Sequence, residues 1–362
     1  MRLRFLVVSL LLAFLLFSGT AFAQTFTGLF DGYYAFNFNK PPCQCNTFIT
    51  GTPSRAFDVN HQQFSLNYAE LSVEQKGKPV GYRVDVGFGD AARVVNSFEP
   101  SGTDWEHIQQ AYVSLHKENM TVDFGKFVTP FGAEVIETKD NWNYSRSLLF
   151  TYAIPFYHFG MRATYAMSDK ATLAAYAVNG WNNVQDNNRG KTVGLQAVLK
   201  PVDKWTFTNT YMVGNESPVR DNRRHTFDSV STYEVSKGLS AMANYDYLFD
   251  SSFSVRRKLQ GIALYGKISP TGTDTGLKIV PRYEWLNDKN DFIGVGGPQR
   301  LQEGTLTIQM VSKESGTFWA EYRRDFSDQK AFVLIKKTTV EPRNYQATVE
   351  FGYTYSFTKE VK

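Results

Sequence analysis

From residue 26 onward, apolar and polar positions alternate with period two in one short run after another. In 80–89, Val80, Tyr82, Val84, Val86 and Phe88 share one face, and Gly81, Arg83, Asp85, Gly87 and Gly89 share the other. In 239–249, Leu239, Ala241, Ala243, Tyr245, Tyr247 and Phe249 oppose Met242, Asn244 and Asp246. In the last run, Tyr345, Ala347, Val349, Phe351, Tyr353, Tyr355 and Phe357 oppose Gln346, Thr348, Glu350, Thr354 and Ser356. Successive side chains of a strand point to opposite faces, so each run predicts a strand with one apolar and one hydrophilic side. The pattern predicts about sixteen strands: 26–38, 62–76, 80–89, 105–117, 120–128, 156–167, 171–180, 191–200, 204–213, 224–235, 239–249, 257–268, 275–286, 301–311, 316–326 and 344–358. Pro281 falls inside one of them, where a bulge would accommodate it.

The breaks between runs alternate in length. Tight polar breaks occur at 76–79, 117–119, 168–170, 201–203, 236–238 and 312–316. Longer Asn/Asp/Gly-rich breaks lie at 39–60, 90–104, 129–155, 181–190, 214–223, 250–256, 287–300 and 327–343. Short turns at one rim and long loops at the other are the form of an all-β, up-and-down antiparallel barrel that spans a membrane. A soluble sandwich would alternate too, but one this long would divide into domains, and no linker or composition break marks a boundary. An open sheet edge cannot face lipid, so an even number of strands closing on each other is the natural solution. Even parity puts both termini on one side, with short turns periplasmic and long loops external.

Composition agrees. Mean hydropathy is −0.34 and no long apolar run follows the first segment, which excludes a bundle of membrane-spanning helices but not a barrel. Aromatic residues make up 15%, enough to furnish two interfacial girdles. Residues 1–23 have the form of a secretory signal: Arg2 and Arg4, an apolar run at 5–17, and Ala21-Phe22-Ala23 as a cleavage site. The mature chain, 24–362, then reads as one barrel in the outer membrane of a Gram-negative-type bacterium, with outer-membrane lipid as its partner. Net charge is +4, falling to +2 without Arg2 and Arg4, and no basic block marks a nucleic-acid footprint. Cys43 and Cys45 lie in an oxidising compartment, open to a local disulfide or an intermolecular one.

Width follows from strand count. Strands ~4.8 Å apart and tilted ~40° close sixteen strands into a cylinder about 32 Å across. Side chains cannot fill that, so an aqueous channel remains unless something folds in. The predicted lumen residues are Arg83, Asp85, Gln110, Lys126, Arg162, Thr164, Gln196, Lys278, Arg282, Glu284, Glu321 and Arg323, hydrophilic and of both signs. The long break at 129–154, the third external loop, mixes charge with Val135, Ile136, Trp142, Leu148 and Leu149, which a wholly solvated loop does not need. Packed on the inner wall, it would crowd Glu134, Glu137, Lys139, Asp140 and Arg146 at the narrowest point, where opposed charges select solutes. The other expectation is a surface loop packed only on its neighbours, in a non-conducting barrel whose external loops bind a partner or ligand.

The stretch Gly125-Lys126-Phe127-Val128-Thr129-Pro130-Phe131-Gly132-Ala133-Glu134, with Asn143-Tyr144-Ser145-Arg146-Ser147 and the closing 346–357, resembles the beta-barrel porin-2 (OmpL-like) family. It is also similar to the phosphate-selective porins O and P. The resemblance runs over essentially the whole mature chain and implies a channel for passive diffusion of small hydrophilic solutes or ions. By family analogy it also implies a homo-trimer. One departure is the five residues that follow Phe357, where such barrels commonly end on an aromatic residue.

Other chemistry finds little support. Gly190-Lys191-Thr192 lacks the glycine a phosphate loop needs, since Gln185 stands there. The five histidines, at 61, 107, 116, 158 and 225, never fall at metal spacing, and no Gly-x-Ser-x-Gly occurs. The oxygen-rich segments 186–188 and 287–291 read as turn chemistry rather than calcium loops. No cofactor and no enzymatic activity are expected.

Overall fold

The computed structural model describes residues 23–216, 223–251, 256–314, 316–337 and 339–361. The predicted signal segment falls outside them except for Ala23.

Sixteen antiparallel strands close on each other. They are β1 (Gln24–Asn37), β2 (Phe64–Gln75), β3 (Val80–Phe88), β4 (Ile108–Lys117), β5 (Met120–Val128), β6 (Tyr157–Ser168), β7 (Ala171–Val178) and β8 (Thr192–Val202). Then follow β9 (Trp205–Asn215), β10 (Arg223–Ser236), β11 (Leu239–Asp250), β12 (Arg257–Ile268), β13 (Gly276–Asp288), β14 (Gln299–Ser312), β15 (Gly316–Ser327) and, after a small hairpin, β18 (Tyr345–Val361). Every strand pairs with its sequence neighbours. Closure comes from β1 against β18, in register from Gln24↔Val361 to Asn37↔Thr348. The hairpin, β16 (Phe332–Lys336) with β17 (Thr339–Arg343), stands apart from the barrel inside the last long loop, which the alternation alone reads as coil.

The faces follow the sequence pattern. Along β18, Gln346, Thr348, Glu350 and Thr354 are buried on the lumen side, while Phe351, Tyr355 and Phe357 are exposed on the outer side. The outer apolar surface is what a hydrocarbon environment requires, and closure leaves no unpaired edge in it. The tail after Phe357 continues β18 as far as Val361, paired with Gln24–Thr27 of β1. Pro281 needs no bulge. It sits on the outer face of β13, in constant register with Leu306 of β14. Toward β12 the ladder skips the residues opposite Gly266 and Lys267, then resumes in the same register at Ile268↔Ile279. The missing N–H of proline thus costs local pairing without moving the strand.

Among the described residues, three of the long loops carry helix or strand of their own. The second external loop contains a helix (Asp90–Val95) and a 3-10 turn (Asp104–Glu106) where a strand beginning at 105 is predicted. The 287–291 segment resolves as turn chemistry. The Asp288 carboxylate accepts the backbone N–H of Phe292 at 2.7 Å and of Ile293 at 2.9 Å. Cys43 and Cys45 are joined to each other by a disulfide.

Candidate pore and its inner loop

The third external loop leaves β5 at Val128 and re-enters the wall at Tyr157. Its first contacts are on the β8–β11 side. Gln196 donates to the Pro130 carbonyl at 2.9 Å, and the Ala133 N–H donates to Asn244 Oδ1 at 3.2 Å. Between them Gly132 turns the chain at φ 88°, a region where side chains other than glycine are strained. The loop then reaches β1 and β2. Thr138 donates to Asp31 Oδ2 and Tyr144 to Asp31 Oδ1, both at 2.5 Å. The Tyr144 and Ser145 N–H groups donate to Glu321 of β15 at 2.9 and 3.2 Å. Asn143 donates to Thr307 of β14 at 2.7 Å. Finally a helix (Leu148–Tyr152), capped by Ser147, aims its first N–H groups at Glu284 of β13 at 2.9 and 3.2 Å. These partners are inward-facing, so the loop's polar backbone is satisfied by the barrel lining rather than by other external loops.

The seam between loop and wall is heavily charged. Arg282 lies within 2.7 Å of Glu303, 2.8 Å of Glu134 and 3.5 Å of Glu284, and Arg323 lies 2.8 Å from Asp325. All of these are almost fully buried. Ion pairs out of water persist only with excellent geometry and further hydrogen bonds, and here loop N–H and C=O groups supply them. Arg282, for example, also donates to the Ser145 carbonyl at 2.7 Å. The first external loop joins the same seam. Arg55 Nη2 lies 2.9 Å from Asp325 and donates to Thr348 at 2.9 Å. Apolar packing adds to it: the rings of Phe57 and Phe150 are 5.5 Å apart, and those of Tyr144 and Trp319 are 5.8 Å apart.

The predicted site residues separate into groups. Arg83, with Asp85 at 2.9 Å, and Arg162, with Asp123 at 2.7 Å, line the inner wall and keep 29% and 24% of their side chains exposed. Lys278 is partly exposed and shares the inward parity of Arg282. Arg282, Glu284, Glu321 and Arg323 face inward but are covered by the loop. Lys126 faces the other way. Its cross-strand partner is Ala111, two places along from the exposed outer pair Val113↔Phe124, and Asp123 of the inner face differs from it in parity. Its ammonium lies over the Tyr157 ring and donates to Asn96 at 2.5 Å, covered by the second external loop rather than by lumen water.

Within the loop, Lys139 and Asp140 are exposed and paired at 2.6 Å. Glu137 is partly exposed, and burial holds its carboxyl above the ordinary range. Glu134 is buried in the seam, not open to water. Arg146 is also closed off at 1% exposure. Its guanidinium donates to the carbonyls of Tyr144, Val135 and Ile136 and to Thr138 at 2.5–3.0 Å, bracing the loop from inside. Asp31, Glu303 and Asp325 belong to the seam and escape sequence reasoning. Asp31 had a usable signal, being the one acid at an inward position of β1. Among the described residues no group of three or more His, Cys, Asp or Glu is placed to hold a metal ion.

No curated protein matches the chain. Solved structures do, at identities that speak to fold alone. The trimer form of OmpT, an outer membrane protein of Vibrio cholerae, has a TM-score of 0.61 at 12% identity, covering 92% of this chain and 99% of that one. An anion-selective porin from Comamonas acidovorans has a TM-score of 0.58 at 10% identity, over 92% and 100%. Salmonella typhi OmpF, solved with daunomycin, has a TM-score of 0.55 at 13% identity, over 92% and 97%. The family described as "Putative beta-barrel porin-2, OmpL-like" matches residues 24–357. A sixteen-strand closed barrel with an apolar exterior and a charged lining is therefore a porin-like outer-membrane barrel, and the chain belongs to the beta-barrel porin-2, OmpL-like family.

Proposed function

We propose that the protein is a passive diffusion channel for small hydrophilic solutes or ions, narrowed by the third external loop. The observation that carries this is the run of hydrogen bonds from residues 138–149 to Asp31, Glu284, Thr307 and Glu321, all inward-facing groups of the barrel. A loop held there takes up part of a cylinder that side chains alone leave open. Lys139 and Asp140 are its water-facing charges and Arg83 and Arg162 are those of the wall, a mixed set suited to screening ions by charge. The likeness to phosphate-selective porins rests on 125–134 and 143–147 and adds no solute. Export by a cleaved 1–23 signal and assembly as a trimer belong to the same reading. Purified protein in a planar bilayer gives discrete conductance steps on this account, and steady silence from correctly folded protein refutes it.

A second reading, a closed surface barrel whose loops bind a partner, draws support from the external face. There Phe48 of the first loop stacks 5.1 Å from Phe332 of the last, and Tyr152 of the third donates to the Pro53 carbonyl of the first at 2.8 Å. The same bilayer measurement separates the two.

A further inference from the structure

Below the third loop, toward the short turns, the lumen holds a cavity of about 480 Å³. Gln196, which donates to the Pro130 carbonyl of the third loop, lines it on one side, and the turn at Lys76–Lys78 lines it on the other. Its wall carries Arg162, Tyr112, Tyr176, Thr164 and Thr172. Resting on the channel reading, we infer that this cavity is a solute-holding site for a small polyhydroxylated carboxylate, of the sugar-acid type.

Three features point to that class. The first is an unspent cationic edge. Arg162 gives Nε and Nη2 to one oxygen of Asp123, at 2.8 and 2.7 Å, while Ser114 takes the other oxygen at 2.5 Å. That leaves Nη1 without an acceptor among the described residues, on a side chain with 24% exposure whose guanidinium also lies over the rings of Phe127 and Tyr112, a donor suited to an anion. The second is unspent hydroxyls. Among the described residues, the hydroxyls of Tyr112, Thr164 and Thr172 have no protein partner, and all three line the cavity. The third is apolar faces between the polar groups, supplied by Tyr112, Tyr176 and Ala174, which suit the C–H faces of a carbon chain bearing hydroxyls. Cations outnumber acids on the lining. Lys76, Lys78 and Arg162 stand against Glu74 and Asp123, and both acids are already paired, Glu74 with Lys76 at 3.3 Å. The volume lies within the ~300–1,000 Å³ of small-molecule sites.

The test is titration calorimetry of the full chain in detergent micelles with sodium gluconate, sorbitol and sodium acetate. Gluconate should bind saturably and at least about tenfold more tightly than either comparator, since it alone offers both the charge and the hydroxyls. Arg162→Gln should weaken gluconate about tenfold and leave sorbitol unaltered. Thr164→Val, which leaves the Arg162–Asp123 pair intact, guards against a folding defect and should weaken gluconate severalfold. Gluconate binding no better than acetate or sorbitol overturns the inference, as does gluconate binding indifferent to both substitutions. Bilayer conductance is read separately. Steps without gluconate binding remove the site and keep the channel, whereas gluconate binding without steps keeps the site and removes the channel.

Discussion

The Tyr144 hydroxyl donates to Asp31 Oδ1 at 2.5 Å, tying the middle of the third loop to the strand that closes the barrel. The same carboxylate takes Thr138 and Asn67, so one buried acid holds two points of the loop against β1 and β2. Tyr144→Phe keeps the ring contact with Trp319 and removes only the hydroxyl. Hydrogen bonds to charged groups contribute about 1.5–3 kcal/mol, so thermal unfolding in micelles should show a loss of that order, with larger open-channel current fluctuations.

Tyr144 also explains Gly352. A Cβ at Gly352 of β18 would overlap the Tyr144 ring, so the loop lies flat on the wall only over a residue with no side chain. Gly352→Ala should push the loop inward and lower single-channel conductance while the barrel remains closed. Unchanged conductance would show that Tyr144 does not rest there in the working protein.

Arg282 is the central cation of the seam, bonded to Glu134 on the loop and Glu303 on the wall. Arg282→Met removes the cation that both carboxylates share, leaving Glu134 the Ser147 N–H at 2.7 Å and Glu303 the more distant Arg323 at 3.6 Å. Breaking one partner of a buried pair costs about 3–5 kcal/mol, so the variant should unfold at lower temperature and its loop should become accessible to protease. The double variant Arg282→Met with Glu134→Gln should recover part of that loss, which a double-mutant cycle measures.

Charge at the loop divides by exposure. Lys139→Glu alters an exposed residue and should shift the reversal potential in a salt gradient toward cations at little cost in stability. Arg146→Glu places an acid where a guanidinium braces three loop carbonyls, and should unfold the loop rather than retune it. Equal stability in the two variants would contradict this division.

His61 supplies a pH dependence. It is buried in the first external loop with a ring nitrogen 3.2 Å from the Pro41 carbonyl, and burial lowers its basicity from the ordinary value of 6.5. The unfolded loop therefore takes up a proton more readily than the folded one. Stability of this loop should be complete above pH 6.5 and fall as pH drops below it. Limited proteolysis of the first loop between pH 7 and 5 should accelerate in the native protein and lose that dependence in His61→Gln.

Sequence pattern carried the barrel because a strand's period of two is a local property, and sixteen repetitions of it leave few alternatives. β18 and β11 read correctly down to the face of each residue. Lys126 departs from the lumen expected of it because a charge marks the lumen only where nothing covers the outer face, and here the second external loop covers that face and pairs the ammonium with Asn96. Arg146 departs for a related reason. In a loop without periodicity, nothing local separates a guanidinium that meets water from one consumed by its own carbonyls. The docking of the hairpin β16–β17, through the bridge between Phe48 and Phe332, and the contribution of Arg55, through Thr348, depend on contacts across some three hundred residues, which no local pattern records.

The most direct test of the account is the single-channel conductance of a variant lacking residues 133–145, measured beside the intact protein with barrel closure checked by far-ultraviolet circular dichroism. If the third loop narrows an open channel, the deletion raises the conductance step well above that of the intact protein and weakens its ion selectivity. Equal steps, or none from either protein in a closed barrel, would contradict the account.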